Sequence, residues 1–122
     1  MKIQKSAEDY LEAMLMLRER NGYIRSVDVA ALLCVTKPSV SYATKRLRES
    51  GYIENDENGF IRLLPAGEAI AQEMYTRHNL LSECLMALGV PEEIALNDAC
   101  RIEHDLSPET FDAIRRHCEK IK

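Results

Sequence analysis

Apolar residues recur with helical spacing along most of this chain. In the first half the spacing predicts helices over residues 7–20, 26–33 and 37–50. Ser6 and Ser26 stand where N-capping residues belong, just before the first two apolar stripes. The second and third helices are short and are separated by a tight turn, which is typical of a helix-turn-helix.

A β-hairpin is predicted directly after the third helix. Two β-prone runs, residues 52–54 and 60–63, flank the Asn58-Gly59 pair, which favours a hairpin turn. A hairpin in this position would be the wing of a winged helix-turn-helix domain.

The second half of the chain is predicted to be entirely helical. A long helix begins at Pro65 and keeps a 3.6-residue period to Gly89, a further helix runs over about 91–104, and a last one opens at Ser107. These helices have more apolar faces than one small domain covers, so we expect a homodimer. The predicted fold is mainly α, with a winged helix-turn-helix domain over 1–64 followed by an all-helical dimerisation domain over 65–122.

Charge is divided unevenly between the halves. The net charge of −4 argues against nucleic acid, but residues 1–64 carry ten Lys and Arg against nine Asp and Glu, whereas residues 65–122 carry six against eleven. Four basic residues without an acid between them fall on the third helix: Lys37, Lys45, Arg46 and Arg48. This basic strip suits DNA phosphates, although a solvated helix face is the alternative.

The third helix would be the recognition helix and would present its first turns to base edges. The residues predicted to contact DNA at this helix start are Thr36, Lys37, Pro38, Ser39, Ser41 and Tyr42. Lys45 and Arg46 are expected on phosphates. Arg62 on the wing reaches the backbone or the minor groove, or is merely solvated.

Neither a signal peptide nor a membrane span is apparent, since the N-terminus lacks an apolar core and no apolar run approaches about 20 residues. We therefore expect the cytoplasm and four reduced cysteines, of which three are small core residues. The role of Cys100 stays open, since it is either a core residue or a metal ligand.

A possible metal site lies near the end of the predicted fifth helix. Cys100, Glu103 and His104 are spaced to share one helix face and offer three types of donor. The alternative is a core cysteine beside a polar edge. Considered alone, His78 would be a half-buried core histidine. Asp9 and Glu12 would then be charges that interact favourably with the dipole of the first helix.

Together these features resemble the DtxR/MntR family of iron- and manganese-dependent repressors, over essentially the whole chain. The segments that carry the resemblance are 8–12, 36–40, 77–78, 97–104 and 106–107. The resemblance implies a repressor of metal-ion homeostasis that binds a palindromic operator and is activated by Fe(II) or Mn(II) held between its two domains. The implied ligands are Asp9, Glu12, His78, Cys100, Glu103 and His104.

Some positions separate the branches of that family. Asp9 and Glu12 look like the manganese branch and Cys100 like the iron branch, while Ser82 and Leu96 stand where an ancillary site would have donors. The chain resembles the short form without an SH3-like domain. Because the thiolate favours softer ions, Fe(II) is slightly preferred over Mn(II).

Other functions remain as alternatives. One is a winged-helix repressor that senses an organic ligand, in which the histidines, acids and cysteines are structural. A metallohydrolase and a metal buffer are two more, but the sequence has no HExxH pair or glycine-rich phosphate loop, and a buffer would not need the basic helix. We therefore expect neither an enzyme, nor a small-molecule substrate, nor a membrane partner.

Overall fold

A computed structural model describes residues 5–121 and shows six helices and one two-stranded sheet within them. The elements are α1 Lys5–Asn21, α2 Ser26–Leu33, α3 Lys37–Glu49, β1 Ile53–Asn55, β2 Ile61–Leu63, α4 Pro65–Ala87, α5 Glu92–Ile102 and α6 Pro108–Ile121. The chain divides into two compact units, Met1–Glu73 and Met74–Lys122, and α4 runs through both. The predicted class, a winged helix-turn-helix followed by helices, is confirmed.

The first unit has a core formed by α1, α2, α3 and the hairpin. Its most deeply buried side chains are Leu11, Met14, Leu15, Ile24, Val29, Val40 and Ile53. The backbone N–H of Ile61 donates to the carbonyl of Ile24 at 2.9 Å, so the segment between α1 and α2 is bonded to the hairpin. These contacts fix α3 and the wing on one scaffold.

The hairpin pairs Ile53 with Leu63 and Asn55 with Ile61 in antiparallel register. Its turn is closed by the Asp56 carboxylate, which accepts the backbone N–H groups of Asn58 at 2.8 Å and of residue 60 at 3.0 Å. Gly59 has φ +82°, a left-handed conformation that favours glycine. The predicted wing and its Asn-Gly turn are therefore present.

Two predicted N-caps are wrong. Residue 5 is already helical, so Ser6 lies inside α1, and Ser26 is the first residue of α2 rather than its cap. The cap position of α2 is held by Arg25, whose guanidinium bonds instead to the Asp28 carboxylate at 3.0 Å. Serine also fits a first helical turn, so the sequence pattern misplaced both starts by a residue or more.

In the second unit, α4 and α6 are joined by a disulfide between Cys84 and Cys118, whose Cα atoms are 5.8 Å apart. The prediction of four reduced cysteines is thus contradicted. Cys118 is buried and Cys84 half-buried, but Cys34 is exposed in the turn before α3, so its assignment to the core is wrong too. Neither cysteine of the bonded pair has a CxxC spacing that would have signalled it.

No helix within residues 5–121 is both long enough and apolar enough to cross a lipid bilayer.

Candidate metal donors and DNA interface

The start of α3 is built by local side-chain bonds. Thr36 caps the helix, since its Oγ1 accepts the backbone N–H of Ser39 at 3.2 Å, and its hydroxyl donates to Ser39 Oγ at 2.8 Å. Pro38 occupies the first turn, where its missing N–H leaves no bond unmade. The helix therefore begins where the sequence predicts.

One face of α3 is anchored in the core by Val40, Thr44 and Leu47, which are all buried. The residues predicted to contact DNA lie on the exposed remainder and at its N-cap: Thr36, Lys37, Pro38, Ser39, Ser41, Tyr42, Lys45 and Arg46. Arg48 is exposed as well. This surface is polar and basic, as a DNA-reading face must be.

Tyr42 and Arg46 form a pair on this surface. The tyrosine is 64% exposed, the arginine Nη1 donates to its Oη at 3.1 Å, and the guanidinium carbon lies 5.7 Å from the ring centroid. The pairing orders a long cationic side chain that would otherwise sample many rotamers.

The wing arginine forms an ion pair within the hairpin. Arg62 is 65% exposed and bonds to the Glu54 carboxylate across the hairpin at 2.6 Å. At the far end of α3, Arg48 donates to Asn55 Oδ1 at 3.0 Å, and Asn55 donates onward to the Gly59 carbonyl at 3.3 Å. The recognition helix is thus bonded to the wing through Asn55, a residue that the sequence did not single out.

The two first-helix acids lie one turn apart on α1. Asp9 is half-buried, Glu12 is buried, and the two offer carboxylate oxygens within 4.8 Å of each other. Like charges this close in a partly desolvated setting repel, and a bound cation relieves that repulsion.

In the second unit a buried carboxylate lies between two imidazoles. Glu103 has no exposed surface; its Oε2 is 3.0 Å from His78 Nδ1, and its Oε1 is 3.3 Å from His104 Nε2. His78 comes from α4, whereas the other two follow α5, which ends at Ile102. The prediction that the donors at 100, 103 and 104 share one helix is therefore wrong in part: Glu103 is the C-cap, and His104 lies in the turn.

Arg77 holds this turn against α4. Its Nη1 donates to the carbonyls of Glu103 at 2.9 Å and Leu106 at 2.8 Å, and its guanidinium lies 5.1 Å from the centroid of the Phe111 ring. The side chain is buried. No role for Arg77 was predicted from the sequence, although its helical spacing from the buried Met74 and Leu81 indicates that it points inward.

Cys100 differs from the other candidates, since it is exposed on α5 while Glu103 and His104 are buried. The buried group therefore consists of imidazole nitrogens and carboxylate oxygens. These donors suit Mn(II) and Fe(II). The donor set fits a divalent transition metal. Arg77 fixes the backbone that carries Glu103 and so helps to position this donor.

Comparison with known proteins identifies both halves. Residues 2–59 match a family model described as the N-terminal DNA-binding domain of iron-dependent repressors. Residues 64–122 match the metal-binding and dimerisation domain of the same repressors.

Individual relatives of this chain are also regulators. The chain is 41% identical over 113 residues to the transcriptional regulator MntR of Escherichia coli O6:H1, covering 93% of this chain and 73% of that protein. It is 42% identical to MntR of Salmonella typhimurium, over 87% of this chain and 68% of that one. The solved structure of the manganese regulator SloR superposes with a TM-score of 0.82 at 26% identity, over 98% of this chain but about half, 55%, of SloR.

These relatives are transcriptional regulators, so the chain is not an enzyme. It belongs to the DtxR/MntR family of metal-dependent, DNA-binding transcriptional repressors.

Proposed function

We propose that this repressor binds Mn(II) or Fe(II) and, in the metal-bound form, occupies a palindromic operator as a homodimer to control metal-ion homeostasis. The observation that carries the proposal is the buried Glu103 carboxylate between His78 and His104. Burial of a carboxylate costs free energy that contacts with two imidazoles or with a bound cation offset, and such clusters of titratable groups occur often at functional sites.

The proposed ligands are the six that the sequence indicated: Asp9, Glu12, His78, Cys100, Glu103 and His104. Three of them are in mutual contact in the second unit, and two others are neighbours on α1. Cys100 has the weakest support because it is exposed. Metal binding at these ligands would, by the mechanism that the family resemblance implies, set the recognition helices of a dimer about one DNA turn, roughly 34 Å, apart.

The identity of the metal rests on opposing arguments. The relatives at 41–42% identity are named MntR, and the structure with a TM-score of 0.82 is titled a manganese regulator, which favours Mn(II). The slight preference for Fe(II) came from the Cys100 thiolate and stays a prediction. Without that thiolate, the nitrogen and oxygen donors suit Mn(II) as well as Fe(II).

A metal titration tests the ligand set. The full chain, stripped of metal by a chelator, is titrated with Mn(II), and free Mn(II) is followed by electron paramagnetic resonance. Glu103→Gln should weaken binding by at least about tenfold, since it removes an anionic donor. Glu109→Gln, which removes an exposed carboxylate from α6, should leave binding unchanged. Equal affinities for the two variants would refute the assignment.

The DNA interface is proposed to comprise the exposed surface of α3 with its Thr36 cap, and Arg62 on the wing. Lys45 and Arg46 would lie on phosphates, and the residues from Thr36 to Tyr42 on bases. Lys45→Ala should lower the slope of log affinity against log salt concentration by about one. Lys120→Ala on α6 is the matched control and should leave the slope unchanged. Identical slopes for the two variants would place Lys45 off the DNA.

Dimerisation is assigned to the second unit. Five large apolar side chains are exposed there on the end of α4, the following turn and α5: Met86, Leu88, Ile94, Leu96 and Ile102. Exposed apolar side chains in such number mark an interface, and a second copy of the chain is the proposed occupant. Ile94→Asp should shift the molar mass in light scattering to that of a monomer, whereas Glu93→Gln should not. We further propose that the two functional domains divide at residues 64/65, where the wing ends. A cytoplasmic location is proposed as well.

A further inference from the structure

The disulfide between Cys84 and Cys118 encloses the segment that carries three of the proposed metal ligands. The cysteines are 34 positions apart, and the chain between them contains all of α5 and the turn with Glu103 and His104. His78 lies on α4, six residues before Cys84. The disulfide therefore connects the helix that carries His78 to the segment that carries Glu103.

Helix α6 contacts α4 near both of its ends. Near its start, the Phe111 ring lies against the Arg77 guanidinium, and near its end Cys118 is bonded to Cys84. The turn with Glu103 and His104 leads directly into α6, whose first residues are capped by Ser107 Oγ accepting the Thr110 N–H at 3.1 Å. Without the covalent link, the turn is held to α4 by polar contacts, which include those of Arg77 and that of His78 with Glu103.

We propose that Cys84 and Cys118 form a thiol–disulfide switch that holds the metal-ligand turn against α4 when oxidised and loosens it when reduced. The inference rests on the proposed metal activation. A reducing cytoplasm keeps such a pair as two thiols, so the switch would report an oxidising disturbance through the metal response. It would couple a redox signal to DNA binding without any change in metal concentration.

The oxidant belongs to the class of small-molecule disulfides. The Cys84 thiolate, on the half-exposed side of the pair, attacks a sulfur of the oxidant and releases one thiol, which leaves a mixed disulfide. The Cys118 thiolate then attacks the Cys84 sulfur and releases the second thiol. Two electrons pass from the cysteines to the oxidant, and their two protons appear on the released thiols.

Oxidation should raise metal affinity because it removes conformations in which Glu103 and His104 are away from His78. If the reduced chain holds the binding arrangement about a tenth of the time, its apparent affinity is about tenfold lower.

The test compares the full, metal-stripped chain after anaerobic reduction with the same chain oxidised by glutathione disulfide. Peptide mapping without reductant should show a peptide of Cys84 joined to one of Cys118, and the titration uses the fraction in which the exposed Cys100 is unmodified. Hydrogen exchange in metal-free protein should be slower over residues 100–106 in the oxidised form. Mn(II) titration should give about tenfold tighter binding for the oxidised form.

Variants separate the switch from general effects of oxidation. Cys84→Ser, and Cys84→Ser with Cys118→Ser, should bind Mn(II) like the reduced chain whatever the treatment. Cys34→Ser, which removes an exposed cysteine outside the pair, should keep the full redox difference. Equal Mn(II) affinity and equal exchange in the two forms, or tighter binding by the reduced form, would overturn the switch alone. Absence of Mn(II) binding in both forms would overturn the proposed metal activation as well.

Discussion

Replacement of Arg77 by methionine should destabilise the second unit more than any exposed substitution there. The arginine is 5% exposed and donates from one nitrogen to two carbonyls, at 2.9 and 2.8 Å. Hydrogen bonds from a charged donor contribute about 1.5–3 kcal/mol each. Methionine keeps part of the packing, but the Glu103 carbonyl is buried and loses this donor, so we expect a loss of at least about 3 kcal/mol of unfolding free energy.

That loss is a large share of the roughly 5–15 kcal/mol by which a domain is stable. Urea denaturation of metal-free protein, followed by far-ultraviolet circular dichroism, measures it. Arg115→Met on α6 is the matched control, because that arginine is exposed and pairs only with exposed acids among its described contacts. Its unfolding midpoint should match that of the wild type.

Arg77→Met should also weaken Mn(II) binding, since the Glu103 carbonyl loses the donor that fixes the turn. An unfolding free energy equal to that of Arg115→Met would refute the role assigned to Arg77. Loss of stability with unchanged Mn(II) affinity would show that Arg77 supports the fold but does not position Glu103.

Substitutions at three further positions test the first unit. Gly67→Ala should cost at least about 2 kcal/mol in urea denaturation despite the better helix propensity of alanine, because its Cβ would lie 2.2 Å from the Tyr52 carbonyl oxygen; a gain in stability would contradict the close approach. Thr36→Ala should cost about 1 kcal/mol through the lost cap of α3 and Thr36→Ser much less, as thermal unfolding will show. A hydrogen bond from Arg18 lowers the pKa of Glu68, so this pair stabilises the fold above the ordinary glutamate pKa and ceases to do so as pH falls through the lowered pKa. Glu68→Gln should therefore cost about 0.5 kcal/mol at neutral pH, because the pair is partly solvated, and nothing in acid; a cost independent of pH would contradict this.

The recognition helix and wing were predictable because their signals are local. Thr36 and Pro38 define the start of α3 within three residues, and Asn58-Gly59 defines the turn of the hairpin. The apolar stripe of α3 then determines which face is exposed. Local chemistry therefore indicated which residues of α3 are exposed, while their contact with DNA stays a prediction.

The contacts that could not be predicted from the sequence depend on packing between distant segments. Glu103 ends α5 in a turn between two histidines, one of them 25 residues earlier, which helical spacing alone cannot indicate. The Cys84–Cys118 bond likewise depends on α6 lying against α4. Both cysteines do fall on apolar stripes of their helices, so an inward orientation was predictable, but their pairing was not.

The central claim is that metal held at His78 and its neighbours switches DNA binding. The most direct test is fluorescence anisotropy of a labelled duplex from upstream of the protein's own gene, with metal-stripped chain titrated by Mn(II) and, anaerobically, by Fe(II). We predict binding only with metal, a requirement for at least about tenfold more metal in His78→Ala, and wild-type behaviour in His117→Ala, which alters an exposed histidine of α6. Equal DNA binding with and without metal, or a His78→Ala curve that overlies the wild type, would contradict the account.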